Sequence, residues 1–126
     1  MKKLSKCLKS LADPGRLRAL GLVSEGGELC VCEVEQVLAV TTSTASRNLR
    51  ELEAAGWLSS RRDGRWVYYR LSDLEAEWSS ARQAVLAIMA KDEVCQRDVE
   101  RYKDYVRGRG LEACSSEISF RPKVRP

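Results

Sequence analysis

The 126-residue chain contains no histidine. That absence excludes Ser-His-Asp and Cys-His nucleophilic catalysis, imidazole acid–base chemistry and every metal site with a histidine ligand. A metal or metalloid site here must be built from sulfur or carboxylate. The chain also lacks a Cys-x-x-Cys motif and a phosphate-cradling glycine loop, which argues against a thiol reductase or nucleotide enzyme. No apolar run approaches about 18 residues, so no segment reads as a membrane span. Two lysines follow Met1, but charge soon recurs and no apolar signal core develops, so the reading is a cytoplasmic protein. Three prolines and eight glycines leave little room for long loops or low-complexity tracts. The net charge of +4 is compatible with a polyanionic partner without diagnosing one. Five cysteines in such a chain are thiols, metal ligands or redox sensors rather than a disulfide framework.

What is present is helical periodicity interrupted once by a strand pattern. Leu4, Cys7, Leu8 and Leu11 predict a first helix over about 3–11. Asp13-Pro14 marks a second start, with Asp as the cap and Pro at the first helical position; Leu17, Leu20 and Val23 form its stripe, and Gly26-Gly27 ends it. Arg16 and Arg18 fall on its outer side. Leu29–Cys32 is ambiguous, an extended segment turning into a third helix whose apolar face is Val34, Val37 and Leu38. After the short turn Ala39-Val40-Thr41, a fourth helix capped by Thr41 or Thr42 runs to Ala55 and stops at Gly56. Two strands, about 57–62 and 65–71, are joined by Asp63-Gly64, a strong hairpin signal. Leu74, Trp78, Ala81, Val85 and Ile88 or Met89 then predict a long helix to about Lys91, with more apolar surface than a small monomer covers. Val99, Tyr102 and Val106 share one side of a further helix from about Asp98.

The fourth helix meets the needs of a DNA reader. A short turn precedes it, Ala45, Leu49 and Leu52 bury one side, and hydrogen-bonding side chains line the other. The candidate DNA contacts are Ser43, Thr44, Ser46, Arg47 and Arg50 on the helix and Arg61, Arg62 and Arg65 around the hairpin tip. The fold class is mainly α with a small β-hairpin wing, a winged helix-turn-helix that dimerises through its terminal helices. Residues 1–92 are read as the DNA-binding and dimerisation domain, and 93–126 as a C-terminal extension, partly helical or mobile. A dimer would set two recognition helices about one DNA turn apart on a near-palindromic double-stranded site.

Cys30 and Cys32 are the sharpest chemical feature. At i and i+2 on a regular helix they lie about 200° apart, whereas on an extended segment they face the same way. A bidentate site therefore requires the helix start to be extended or distorted, and joining both sulfurs to one soft centre would strain or unwind it. Thiolates select soft, thiophilic centres over Mg or Ca.

These residues resemble a family. The stretches Leu11-Ala12-Asp13-Pro14-Gly15-Arg16-Leu17-Arg18, Glu28-Leu29-Cys30-Val31-Cys32-Glu33, Ser46-Arg47-Asn48-Leu49, and Gly56-Trp57-Leu58 through Asp63-Gly64-Arg65-Trp66-Val67-Tyr68-Tyr69-Arg70-Leu71 are similar to the ArsR/SmtB metal-sensing repressors of bacteria, specifically the arsenic-sensing branch. The resemblance covers about residues 4–90. It implies a homodimeric repressor of a resistance operon, with no obligatory cofactor, that leaves its operator when arsenite or antimonite binds. Arsenic-sensing relatives often carry a third cysteine a few residues after the pair, where this chain has Glu33, Val34, Glu35, Gln36 and Val37. The third sulfur is then absent, a small cellular thiol, or one of Cys7, Cys95 and Cys114. Cys7 sits on the apolar side of the first helix, where core packing competes. Cys95 follows the dimer helix, where it is expected to be exposed, and is the preferred third ligand. The alternative input is cadmium, lead or zinc at a four-sulfur site, or thiol oxidation.

Overall fold

A computed structural model describes residues 1–108; Cys114 and the rest of the predicted extension lie outside them. Six helices and three short strands follow in the order α1 (Lys2–Leu11), α2 (Pro14–Gly26), β1 (Glu28–Cys30), α3 (Val31–Leu38), α4 (Thr42–Ala54), β2 (Leu58–Asp63), β3 (Trp66–Leu71), α5 (Ala76–Met89) and α6 (Glu93–Gly108). The strands form an antiparallel sheet in the order β1-β3-β2. This is a winged helix-turn-helix with one strand more than the expected hairpin. The ambiguous segment at Leu29 resolves as β1, whose backbone pairs Glu28 with Arg70, Leu29 with Tyr69 and Cys30 with Tyr68. Three residues are too few for a period-two signal, so its partner strand defines it.

The helix signals act as read. The Asp13 side chain accepts from the backbone N–H of Arg16, with Pro14 opening α2. Thr41 caps α4 by accepting from the N–H of Thr44. The register pairs Asp63 with Trp66, so the hairpin loop is Gly64-Arg65, one residue later than expected. Gly64 has φ 65°, the positive value that such two-residue loops require.

The core gathers Leu20 and Val23 of α2, Val34 and Val37 of α3, Leu49 and Leu52 of α4, and Trp57. Trp57 meets Trp78 edge-on, with ring centroids 6.0 Å apart. Its indole N–H donates to Ser10 Oγ at 2.9 Å. That bond ties α1 to the residue just before the wing.

Three expectations are corrected. α5 starts at Ala76, so Leu74 lies in the connection, and the side chain α5 buries is Arg82 while Ala81 is exposed. Its guanidinium serves backbone acceptors that no apolar residue could satisfy. α6 starts at Glu93, ahead of the expected Asp98, because Asp92 Oδ1 accepts from the N–H of Val94 and organises its first turn. Its inward residues include Val99, Tyr102 and Tyr105, while Val106 is exposed. Arg18 does not face open solvent, because α6 packs over α2 and sets buried Asp98 against it in a two-bond ion pair, both at 2.9 Å.

Candidate functional site

The helix expected to read DNA is held by its buried side. Ala45, Leu49 and Leu52 are fully enclosed. Ala39 ends α3 in the left-handed region at φ 58° and turns the chain into α4. On the outer side, Ser43, Arg47 and Arg50 are exposed, and Thr44 and Ser46 are half-buried. Thr44 is engaged by the cap, with Thr41 Oγ1 3.0 Å from its hydroxyl. Arg50 donates to Ser46 Oγ at 2.5 Å, which holds its guanidinium along the helix. Asn48 faces the start of α2, since a Cβ added at Gly15 would stand 3.1 Å from Asn48 Nδ2.

The three wing arginines separate. Arg62 and Arg65 flank the hairpin loop, with Arg62 reaching the Gly64 carbonyl at 3.4 Å and Arg65 stacking on Trp66 at 5.2 Å. Arg61 is bound to the sheet: it donates to both carboxylate oxygens of Glu28, at 2.7 and 2.9 Å, and lies over the Tyr68 ring at 4.7 Å. The carboxylate raises the Arg61 pKa above its ordinary value. Directly paired residues share a sheet face. Arg61, Tyr68 and Cys30 therefore form a row across β2, β3 and β1. This link between the thiol segment and the wing had no signal in the sequence, because β1 itself was unassigned.

Cys30 is the residue before α3, not part of it. Its backbone is extended, at φ −89° and ψ 167°, while Cys32 occupies the second helical position. The extended cap turns the two side chains toward each other, and the sulfurs are 3.4 Å apart. A centre bonded to two thiolates at about 2.3 Å, with bond angles of about 90–110°, needs sulfurs roughly 3.2–3.8 Å apart. The separation falls in that range, and the extended start that a bidentate site requires is supplied by the backbone of Cys30. Glu33, which sequence reasoning passed over, is 3% exposed and accepts from the Cys30 N–H at 2.9 Å. It is the third helical residue of a capping box, with the Cys30 sulfur facing the Glu33 N–H. The spacing Cys30-x-x-Glu33 was the available signal, hidden because cysteine is an uncommon cap.

The other described cysteines lie elsewhere. Cys7 is buried and directs its thiol at the Ala55 carbonyl, 3.6 Å away. Cys95 is half-buried rather than exposed, and lines a cavity of about 650 Å³ beside Gly21, Glu25 and Met89. Among the described residues no three or more His, Cys, Asp or Glu side chains gather into a metal-holding group. Cys95 therefore does not join Cys30 and Cys32 in such a group within one chain. Burial, then Asp98, Asp92 and Glu25, push the Cys95 thiol above its ordinary 9.0. Cys95 should consequently be alkylated by iodoacetamide at pH 8 several-fold more slowly than in the urea-unfolded chain, as peptide mass mapping would show. A folded pKa above the unfolded one also means that its stabilising contribution is intact below pH 9.0 and is lost as pH rises through the folded value. A folded-state rate equal to the unfolded one would contradict this environment.

The profile described as bacterial regulatory protein, arsR family, matches residues 13–60. The arsenic resistance transcriptional regulator ArsR1 of Pseudomonas putida is 45% identical over 73 residues, 58% of this chain and 57% of that protein. A cadmium resistance regulatory protein CadC homolog of Staphylococcus aureus is 40% identical over 70 residues, 56% of this chain and 58% of its own length. The matched region thus spans less than two thirds of these two relatives. The arsenical resistance operon repressor of Escherichia coli is 36% identical over 109 residues, 86% of each chain. Among solved structures, the homodimeric winged helix-turn-helix DNA-binding domain Mb0332 of Mycobacterium bovis superposes with a TM-score of 0.61 at 26% identity, covering 73% of this chain and 82% of that one. Such relatives are transcription regulators that bind DNA, and the breadth of the match to the E. coli repressor places this chain in the ArsR family of bacterial regulatory proteins.

Proposed function

We propose that the protein is a homodimeric repressor that binds double-stranded operator DNA through α4 and the wing, and that As(III) or Sb(III) at Cys30 and Cys32 releases it. The observation that carries this reading is the sulfur pair 3.4 Å apart at the start of α3, the helix that precedes the DNA-reading helix. Arg47 and Arg50, with Ser43, Thr44 and Ser46, read the major groove; Arg62 and Arg65 reach the backbone or minor groove at the wing tip. Arg61 contributes positive potential while its geometry is kept by Glu28. Leu4 and Leu8 of α1 and Ile88 of α5 are 42, 54 and 71% exposed, apolar side chains that fit burial against a second copy of the chain. Membership of the family supports the DNA partner, and the names of the relatives support a metal or metalloid signal.

The inducer acts only through a difference in affinity. It must bind the DNA-free arrangement of α3 and α4 more tightly than the DNA-bound one, a coupling of about 1–3 kcal/mol in typical regulators. Two thiolates supply part of the coordination of a soft trivalent centre, and its third position is open to a further thiol or water. Cadmium is the second reading, favoured by the CadC homolog. It needs more sulfur than the described residues bring together.

The test is an anisotropy titration of the reduced protein against its own promoter duplex. Arg47→Ala should weaken binding about ten-fold or more without changing the melting temperature, since a good bidentate base contact is worth about 1–3 kcal/mol. Micromolar arsenite should release the wild type. Release by cadmium and not by arsenite would assign the second reading, and no specific binding to the duplex would reject both.

A further inference from the structure

The DNA-facing charge assigned so far sits on α4 and the wing. A second cationic surface, carried by α1 and the start of α2, adjoins the last turns of α4. On α1, Lys2, Lys6 and Lys9 recur at i, i+4 and i+7, so they share one side of the helix, away from buried Cys7 and Leu11. Lys6 and Lys9 line a small cleft of about 180 Å³ together with Ser10, Arg16 and the last turns of α4, including Glu51. Both lysines are exposed, whereas Arg16 is half-buried and fixed. Its Nε donates to the Ser10 carbonyl at 2.6 Å and its Nη2 to the Lys9 carbonyl at 3.3 Å, closing the carbonyl end of α1. The cleft thus offers one anchored cation and two extendable ones against a single carboxylate. Trp57 fastens this corner to the base of the wing through Ser10, so its position relative to α4 is set by the core.

A recognition helix inserts its N-terminal half toward the bases, so its C-terminal half climbs toward the phosphates at the edge of the groove. The cleft adjoins that C-terminal half, at Glu51, Ala54 and Ala55. We infer that Lys6 and Lys9, positioned beside Arg16, form a phosphate clamp that grips the DNA backbone beside the C-terminal half of α4. This rests on the proposed DNA reading and extends it, because the exposed leucines of α1 lie on a different side of that helix and stay available for a second copy. Phosphate contacts fix register and affinity without reading sequence.

Counterion release makes the clamp measurable. Each neutralised phosphate contributes about 0.9 to the slope of log affinity against log salt. Lys6→Gln/Lys9→Gln in the full chain removes two such contacts from each protomer, so it should lower the slope for the dimer by about 3.6 and weaken binding at 0.1 M salt by roughly 100–4,000-fold. The ratio of operator to scrambled-duplex affinity should not change. Lys103→Gln, which removes an exposed lysine on α6 outside the cleft, should leave the slope within about 0.3 of wild type. The probe is a fluorescein-labelled promoter duplex, with circular dichroism and gel filtration showing that fold and assembly are kept. A wild-type slope in the double variant would overturn the clamp while leaving the DNA reading intact. So would an equal loss in Lys103→Gln, which would mean only a general charge effect. A wild type that does not distinguish operator from scrambled duplex would instead remove the DNA reading and the clamp with it.

Discussion

Replacing Arg82 with alanine is expected to lower the melting temperature by roughly 10–20 °C. Arg82 is only 7% exposed, although it lies on an otherwise open helix. Its Nη1 donates to the Trp57 carbonyl at 2.8 Å and to Ser72 Oγ at 3.2 Å, and its Nη2 donates to the Ser72 carbonyl at 2.8 Å. Trp57 precedes β2 and Ser72 follows β3, so one guanidinium joins α5 to both ends of the wing. Burial pushes its pKa below the ordinary value, offset in part by Asp73. The charged form persists at neutral pH because guanidinium starts so far above it. Bonds to a charged donor are worth about 1.5–3 kcal/mol each, and water that enters the truncated site recovers part of the loss. A net cost of about 3 kcal/mol follows, which at a few degrees per kcal/mol gives the stated shift for a chain of this size. Arg82→Met retains the packed stem and separates that contribution from the hydrogen bonds. A melting temperature for both variants within 2–3 °C of wild type would show that the wing base holds without this link.

That arginine also marks where the sequence stops being legible. Local rules placed α2 and α4 well: Asp13-Pro14 and Thr41 are strong cap signals, and Ala45, Leu49 and Leu52 repeat at helical spacing. The hairpin was visible because strand alternation and a glycine loop agree. The missing elements depend on contacts distant in sequence. β1 exists because β3 pairs with it, across about forty residues. Arg18 and Asp98 are polar residues on separate helices, and nothing local shows that α6 brings one to the other. Arg82 breaks an apolar stripe, and periodicity assigns such a residue to solvent unless its acceptors are known. At the thiol pair, spacing exposed the geometric problem of an i, i+2 chelate on a helix but not its solution. That solution lies in the backbone of one residue: Cys30 is the cap, so the pair spans the boundary between strand and helix.

Cys30→Ser is expected to retain DNA binding while raising the arsenite needed for release at least about 100-fold. The substitution is informative because of where Cys30 stands. Serine is among the preferred helix caps, and with Glu33 three residues on it completes a standard capping box. Glu33 already accepts from the backbone N–H at that position. Stability should therefore be kept or slightly raised, and a lost response could not be attributed to a lost fold. Chemically, the variant turns a two-sulfur site into a one-sulfur site. A second ligand held close by acts at an effective concentration that commonly adds 10²–10⁴ to overall affinity, and removing either sulfur forfeits it. Cys32→Ser should thus show the same loss of response, although its hydroxyl lies inside the helix and brings no capping gain. Cys7→Ser tests a core thiol and should lower stability without moving the arsenite midpoint. Cys95→Ser should leave the midpoint near wild type if the pair suffices; a shift comparable to that of Cys30→Ser would identify Cys95 as the third sulfur, contributed in a different assembly from the single chain. Release of both Cys30→Ser and Cys32→Ser at the wild-type arsenite concentration would remove the pair from the sensing role, because a site that tolerates loss of either thiolate is not the chelate its 3.4 Å sulfur separation suggests.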